Sequence, residues 1–148
     1  MKLKNTMNTH LVKIGLEGTT KEEIVKELLQ VLKDDGKIKD IDRTFDDVME
    51  RESKMSTGIQ HGVAIPHAKT SEVDGLVACV GIKKEGVDFA ALDGEPSTLF
   101  IMTLSPKDHI GPHVQFLAAI SRIIKKEESR NAILNSKTPE EVLAVFGL

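Results

Sequence analysis

Two short apolar runs in the middle of the chain constrain the fold most. Leu76-Val-Ala-Cys-Val-Gly-Ile82 and Ser97-Thr-Leu-Phe-Ile-Met-Thr-Leu104 are rich in apolar residues throughout, and Pro106 closes the second. Each reads as a buried strand. The flanking segments follow the helical period instead. Thr20 with Glu23 matches a capping box, Ile24, Val25, Leu28, Leu29, Val31 and Leu32 follow at helical spacing, and Gly36 ends the helix.

Further elements fit the same alternation. Leu11-Val-Lys-Ile-Gly-Leu16 reads as a first strand, and Thr44 with Asp47 opens a second helix that carries Phe45, Val48 and Met49 towards Arg51. Val63-Ala-Ile65 is a short strand stopped by Pro66. A loop from Ser105 to Pro112 leads into the most apolar helix, from Val114 through Ile124, with Lys125 and Lys126 expected in its last turn. Thr138-Pro-Glu-Glu141 opens a short final helix. Helices and strands alternate without a strict period. The expected architecture is therefore an α/β sandwich, a mixed sheet flanked by helices in three layers.

Composition narrows the function. The 148 residues suit one domain over 1–148, and 40% hydrophobic with 29% charged residues suits a globular one. Aromatics are only 3%, which argues against stacking platforms for single-stranded nucleic acid. The net charge of −3, with both signs interspersed, gives no electrostatic footprint for nucleic acid or an anionic membrane. Cys79 lies in an apolar stretch and reads as a buried, inert thiol. The N-terminus has no apolar region behind its positive charge, and no run is long enough for a membrane span, so a cytoplasmic protein is expected.

The chemistry gathers at histidines. Of His10, His61, His67, His109 and His113, four fall in the two loop regions preceding Ala68 and Val114. A lone histidine is ordinarily a surface or hydrogen-bonded structural group. His67, however, is delivered by the strand Val63-Ala-Ile65 and follows Pro66, which fixes the backbone just before it. Loops at strand ends of α/β domains commonly carry functional side chains. His113 should lie in the first turn of a helix, where unpaired N–H groups and the positive dipole end favour an anion. The residues alone leave this reading and a solvent-facing cap equally open. Arg51 could fork onto phosphate oxygens, although an Arg-Glu pair at a helix end is ordinarily a solvated charge pair. No zinc spacing, Gly-x-Ser-x-Gly elbow or Gly-x-x-x-x-Gly-Lys-Ser/Thr loop is present, so metal sites, a serine hydrolase and direct nucleotide use are disfavoured.

The stretch Arg51-Glu-Ser-Lys-Met-Ser-Thr-Gly-Ile-Gln-His-Gly-Val-Ala-Ile-Pro-His67 closely resembles the active-site signature of the fructose/mannitol-type enzyme IIA domains. These belong to the bacterial phosphoenolpyruvate-dependent sugar phosphotransferase system. Val87-Asp-Phe-Ala-Ala-Leu-Asp-Gly-Glu-Pro96 and His113-Val-Gln-Phe-Leu-Ala-Ala-Ile-Ser-Arg122 resemble the family as well. The resemblance implies that His67 is phosphorylated and that His113 and Arg51 assist at the phosphoryl group. Ser56, Thr57, Gln60 and His61 lie close enough in sequence to shape a phosphate or partner pocket. His61 departs from the family pattern, and its role is open.

The same resemblance implies the small carrier HPr as phosphoryl donor and an EIIB protein as acceptor, commonly through a cysteine, with no metal or organic cofactor. The expectation is that EIIB and the permease are met as separate proteins. A regulatory role like that of the nitrogen-related IIA proteins is the alternative, since they share the signature. A non-catalytic relative like the cytosolic regions of anion exchangers is a weaker third reading, disfavoured by the retention of all three residues.

Overall fold

The computed structural model describes residues 6–108 and 111–148. Residues 1–5, part of the N-terminal stretch read above for a signal peptide, and His109 lie outside the described residues. Strands are β1 (Val12–Ile14), β2 (Val63–Ala64), β3 (His67–Lys69), β4 (Val77–Val87) and β5 (Ser97–Ser105). Helices are α1 (Lys21–Asp34), α2 (Ile41–Lys54), α3 (Gly111–Ile124), α4 (Glu127–Leu134) and α5 (Pro139–Val145).

Among the described residues the strands form one five-stranded mixed sheet in the order β1-β4-β5-β2, with β3 also paired to β5. β4 and β5 are antiparallel, whereas β1 runs parallel to β4 and both β2 and β3 run parallel to β5. Period-two alternation along β5 divides the core. Phe100, Met102 and Leu104 face α1 and α2 with Ile24, Leu28, Leu32 and Val48. Leu99 and Ile101 face the opposite layer with Phe116, Ile120, Ile133 and Val142 of α3, α4 and α5. The expected three-layer α/β/α sandwich is therefore the fold. Each of these fully buried side chains contributes about 1.5–3 kcal/mol of transfer free energy. None of the helices is long and apolar enough to cross a membrane among the described residues.

Several boundaries differ from the sequence reading for local reasons. Thr20 caps α1 by accepting from the Glu23 N–H, but the Glu23 carboxylate turns back to the N–H and hydroxyl of Thr19, one residue earlier than a capping box requires. α2 starts at Ile41, because Asp40 is an adequate cap for the Arg43 N–H. Thr44 is instead buried inside that helix, its hydroxyl donating to the carbonyls of Asp40 and Ile41. α3 stops at Ile124, so Lys125 and Lys126 lie beyond it. Arg130 of α4 caps that end by donating to the carbonyls of Ile124 and Lys125 at 2.7 and 2.9 Å. α4 escapes a periodicity reading because its only buried residue is Ile133.

Candidate functional site

β2 and β3 lie on the same side of β5 in one continuous register, Val63 opposite Leu99, Ala64 opposite Phe100 and His67 opposite Thr103. They are one strand broken at Ile65-Pro66. The Ile65 N–H turns away to the Thr57 carbonyl (3.0 Å), and Pro66 has no N–H to give. Pairing resumes when the Pro66 carbonyl accepts from the Thr103 N–H (3.0 Å). His67 thus opens β3 rather than sitting in a loop after a strand, as its position before Ala68 had suggested.

The break leaves the Ile65 carbonyl free to meet the His67 ring, whose Nδ1 lies 2.8 Å away. A carbonyl can only accept, so Nδ1 carries the proton and, in the neutral ring, Nε2 carries the lone pair. His113 comes from the first turn of α3, its ring centroid 5.2 Å from that of His67 with the planes inclined by 40°. Its Nδ1 lies 3.5 Å from the buried Thr103 hydroxyl, the register partner of His67. Partial burial, then the charges of His67 and Lys69, hold its pKa below the ordinary histidine value, so His113 is neutral near pH 7.

Arg51 stands in the last turn of α2 and donates through Nη1 to the Met55 carbonyl at 2.7 Å. That leaves its remaining N–H groups to a cleft of about 470 Å3 beside β3, which His67 and His113 also line. Lys54, Lys69 and Lys107 add positive charge there against the carboxylates of Asp47 and Glu50. The cleft is thus cationic on balance and suits an anion of phosphate size.

Ser56 and Thr57 border an adjoining hollow that Arg51 and His67 share. Both hydroxyls are engaged: Ser56 donates to the Phe89 carbonyl (2.6 Å), and Thr57 donates to the Glu52 carboxylate. Gln60 and His61 are not brought to the cleft, a correction to the pocket expected from their nearness in sequence. They form the tip of a turn in which the Val63 N–H donates to the Gln60 carbonyl and the central residues His61 and Gly62 have φ of 61° and 75°. Positive φ at both central positions is the pattern of a type I′ turn. That geometry places Gln60 and His61 at a hollow bordered by Ser121, Lys125 and Arg130, and Gln60 also at one bordered by Leu92 and Asp93.

Sequence reasoning also treated Glu52 as half of a solvated pair with Arg51. Its side chain is in fact 1% exposed and pairs with Lys21 Nζ at 2.6 Å. The signal was present: Glu52 lies four residues beyond Val48 on the buried stripe of α2. Lys69 was missed as well, since only an extended backbone after Pro66 puts it on the His67 side of β3.

A family model described as "Phosphoenolpyruvate-dependent sugar phosphotransferase system, EIIA 2" matches residues 5–147. The chain belongs to that EIIA 2 family. Membership gives it a phosphocarrier role. It is 36% identical to a fructose-specific EIIA component of Haloferax volcanii, covering 93% of this chain and 91% of the relative. It is 32% identical over 99% of its length to a fructose-specific EIIABC component of Bacillus subtilis, of which it spans only 23%. Among solved structures, nitrogen regulatory protein IIA-Ntr of Neisseria meningitidis superposes with a TM-score of 0.90 at 24% identity, covering 97% of this chain and 98% of that one. The mannitol IIA of Escherichia coli, solved in complex with phosphorylated IIB, gives 0.82 at 17% identity, covering 96% and 97%. At these identities the two superpositions bear on the fold of this EIIA chain.

Proposed function

We propose that this chain accepts a phosphoryl group on Nε2 of His67 from the phosphohistidine of HPr and passes it to a cysteine of an EIIB partner. The observation that carries this reading is the Nδ1–H donation to the Ile65 carbonyl at 2.8 Å, which leaves a lone pair on Nε2 beside a cationic cleft.

In the first transfer the P–N bond of the donor breaks, its electron pair returns to the donor imidazole, and a P–N bond forms to His67. In the second, the P–N bond to His67 breaks, its electron pair returns to Nε2, and the partner's cysteine, reacting as the thiolate, forms a P–S bond. Each step passes through a loose, metaphosphate-like transition state, so most of the catalysis is positioning and charge stabilisation. Arg51 supplies a charged fork. Neutral His113, accepting the Thr103 hydroxyl proton on Nδ1, would offer Nε2–H to an equatorial oxygen. The Escherichia coli mannitol complex, with its phosphorylated IIB, supports the choice of acceptor. The fructose-specific relatives, at 36% and 32% identity, support a role in sugar uptake over a regulatory one.

The test is intact mass after incubation with phosphoenolpyruvate, enzyme I and HPr, beside the same reaction with His67→Ala. One acid-labile phosphoryl group that the variant lacks is expected. Labelling that survives His67→Ala overturns the assignment.

A further inference from the structure

A chain of contacts runs from a buried ion pair to the His67 ring. The Glu52 carboxylate, at the end of α2, accepts from Lys21 Nζ at 2.6 Å, from the Thr57 N–H at 3.1 and 3.3 Å, and from the Thr57 hydroxyl. Thr57 is itself buried, and its carbonyl accepts the Ile65 N–H at 3.0 Å. The carbonyl of the same residue, on the next peptide unit, holds His67 Nδ1 at 2.8 Å. Neither Glu52 nor Lys21 lines the cleft.

This placement is costly unless it does something. Burying a carboxylate and an ammonium together often gains nothing over an apolar pair of similar volume. The pair here spans three segments. Lys21 begins α1 and also lies 4.8 Å above the Phe89 ring, Glu52 ends α2, and Thr57 leads into the broken edge strand. Ile65 has lost its ladder partner on β5, and the bond from Thr57 takes its place between Ala64, still paired to β5, and Pro66, whose carbonyl is held by the Thr103 N–H.

We infer that Glu52 is a positioning residue: by holding Thr57 it fixes the Ile65 carbonyl, and through it the Nδ1–H tautomer of His67 that leaves Nε2 free. The inference rests on His67 being the phosphoryl acceptor. What matters is an acceptor oxygen at the right distance from Thr57, and the charge of the pair is secondary.

Two variants separate these terms. Glu52→Asp keeps the charge and withdraws the oxygens by one methylene. Lys21→Met with Glu52→Gln removes both charges and keeps an oxygen in place. Nitrogen-15 chemical shifts of the His67 ring report the tautomer in the unphosphorylated protein, and phosphorylation kinetics with phospho-HPr report the consequence. Glu52→Asp should mix the two neutral tautomers and lower kcat about fivefold with KM for phospho-HPr unchanged, the scale set by one hydrogen bond. The double variant should restore the Nδ1–H form and the rate.

A pure Nδ1–H tautomer in Glu52→Asp, or a mixed one in the double variant, overturns the inference. If Glu52→Asp does not fold, Thr57→Val removes only the hydroxyl link and is read the same way. Because the tautomer is measured without phosphorylation, it still decides the link if labelling survives His67→Ala and the proposed function fails.

Discussion

The imidazole rings of His67 and His113 stand 5.2 Å apart between centroids, although one is carried by the edge strand β3 and the other by helix α3. Their spacing is set by two rigid features. The β3–β5 register puts His67 opposite Thr103, and the buried Phe116, Ile120 and Ile124 seat α3 over the same face of the sheet. Burial first, and then the nearness of His67 and Lys69, hold the pKa of His113 below its ordinary value.

Phosphorylation should oppose that shift. A phosphoryl group on His67 puts negative charge beside the His113 ring, which favours the imidazolium form of His113. Titration of the His113 ring resonances by NMR should give a pKa below the ordinary value in the free protein and a higher one in the phosphoprotein. An unchanged value would place the phosphoryl group out of reach of His113.

Acid should destabilise the fold through the same residue. The folded-state pKa of His113 lies below the unfolded value of about 6.5, so the unfolded chain binds the proton more readily. Stability is unaffected by His113 well above that value, declines as pH falls below about 6.5, and stops declining once pH is below the folded pKa. Urea midpoints between pH 8 and 5 should therefore fall less steeply in His113→Gln than in the parent chain.

Removing the second ring should harm transfer more than folding. His113→Ala is expected to slow phosphorylation by about two to three orders of magnitude, the range for loss of one preorganised transition-state donor. The side chain is only half-buried, so the thermal midpoint should move by no more than about 2 °C. A large drop in that midpoint with little loss of rate would make His113 a structural residue.

Cys79 should be silent in the native protein. Its thiol is fully buried, burial pushes its pKa far up, and its Sγ lies 3.5 Å from the Leu28 carbonyl. Iodoacetamide at pH 8 should leave it unmodified until denaturant is added, with the alkylated fraction read by mass.

Much of this architecture was legible because apolar spacing is a strong signal. β4 and β5 were visible as apolar runs, α1 as a periodic stripe with Thr20 ahead of it, and α5 from Thr138-Pro139. His67 and His113 stood out through Pro66 and the helix start. What escaped was decided by tertiary contact. β3 is too short to announce itself and exists because β5 offers its edge, α4 is held by Arg130 and Ile133 rather than by an amphipathic pattern, and the partner that meets Glu52 on the buried stripe of α2, Lys21, comes from another helix. Gln60 and His61 illustrate the converse. Nearness in sequence to His67 was undone by a turn that carries them to its tip.

The break at Ile65-Pro66 has a consequence for how other proteins approach. An edge strand normally offers a continuous row of free N–H and C=O groups, onto which another extended chain can add as the next strand. Here Pro66 has no N–H, both polar groups of Ile65 are engaged within the molecule, and the segment at Ile59 already donates to the Val63 carbonyl beside it. Strand addition is therefore blocked at the residues next to His67. A partner reaching the ring at this edge meets it through side chains and backbone other than an added strand, and a second copy of the chain is likewise denied strand pairing at these residues.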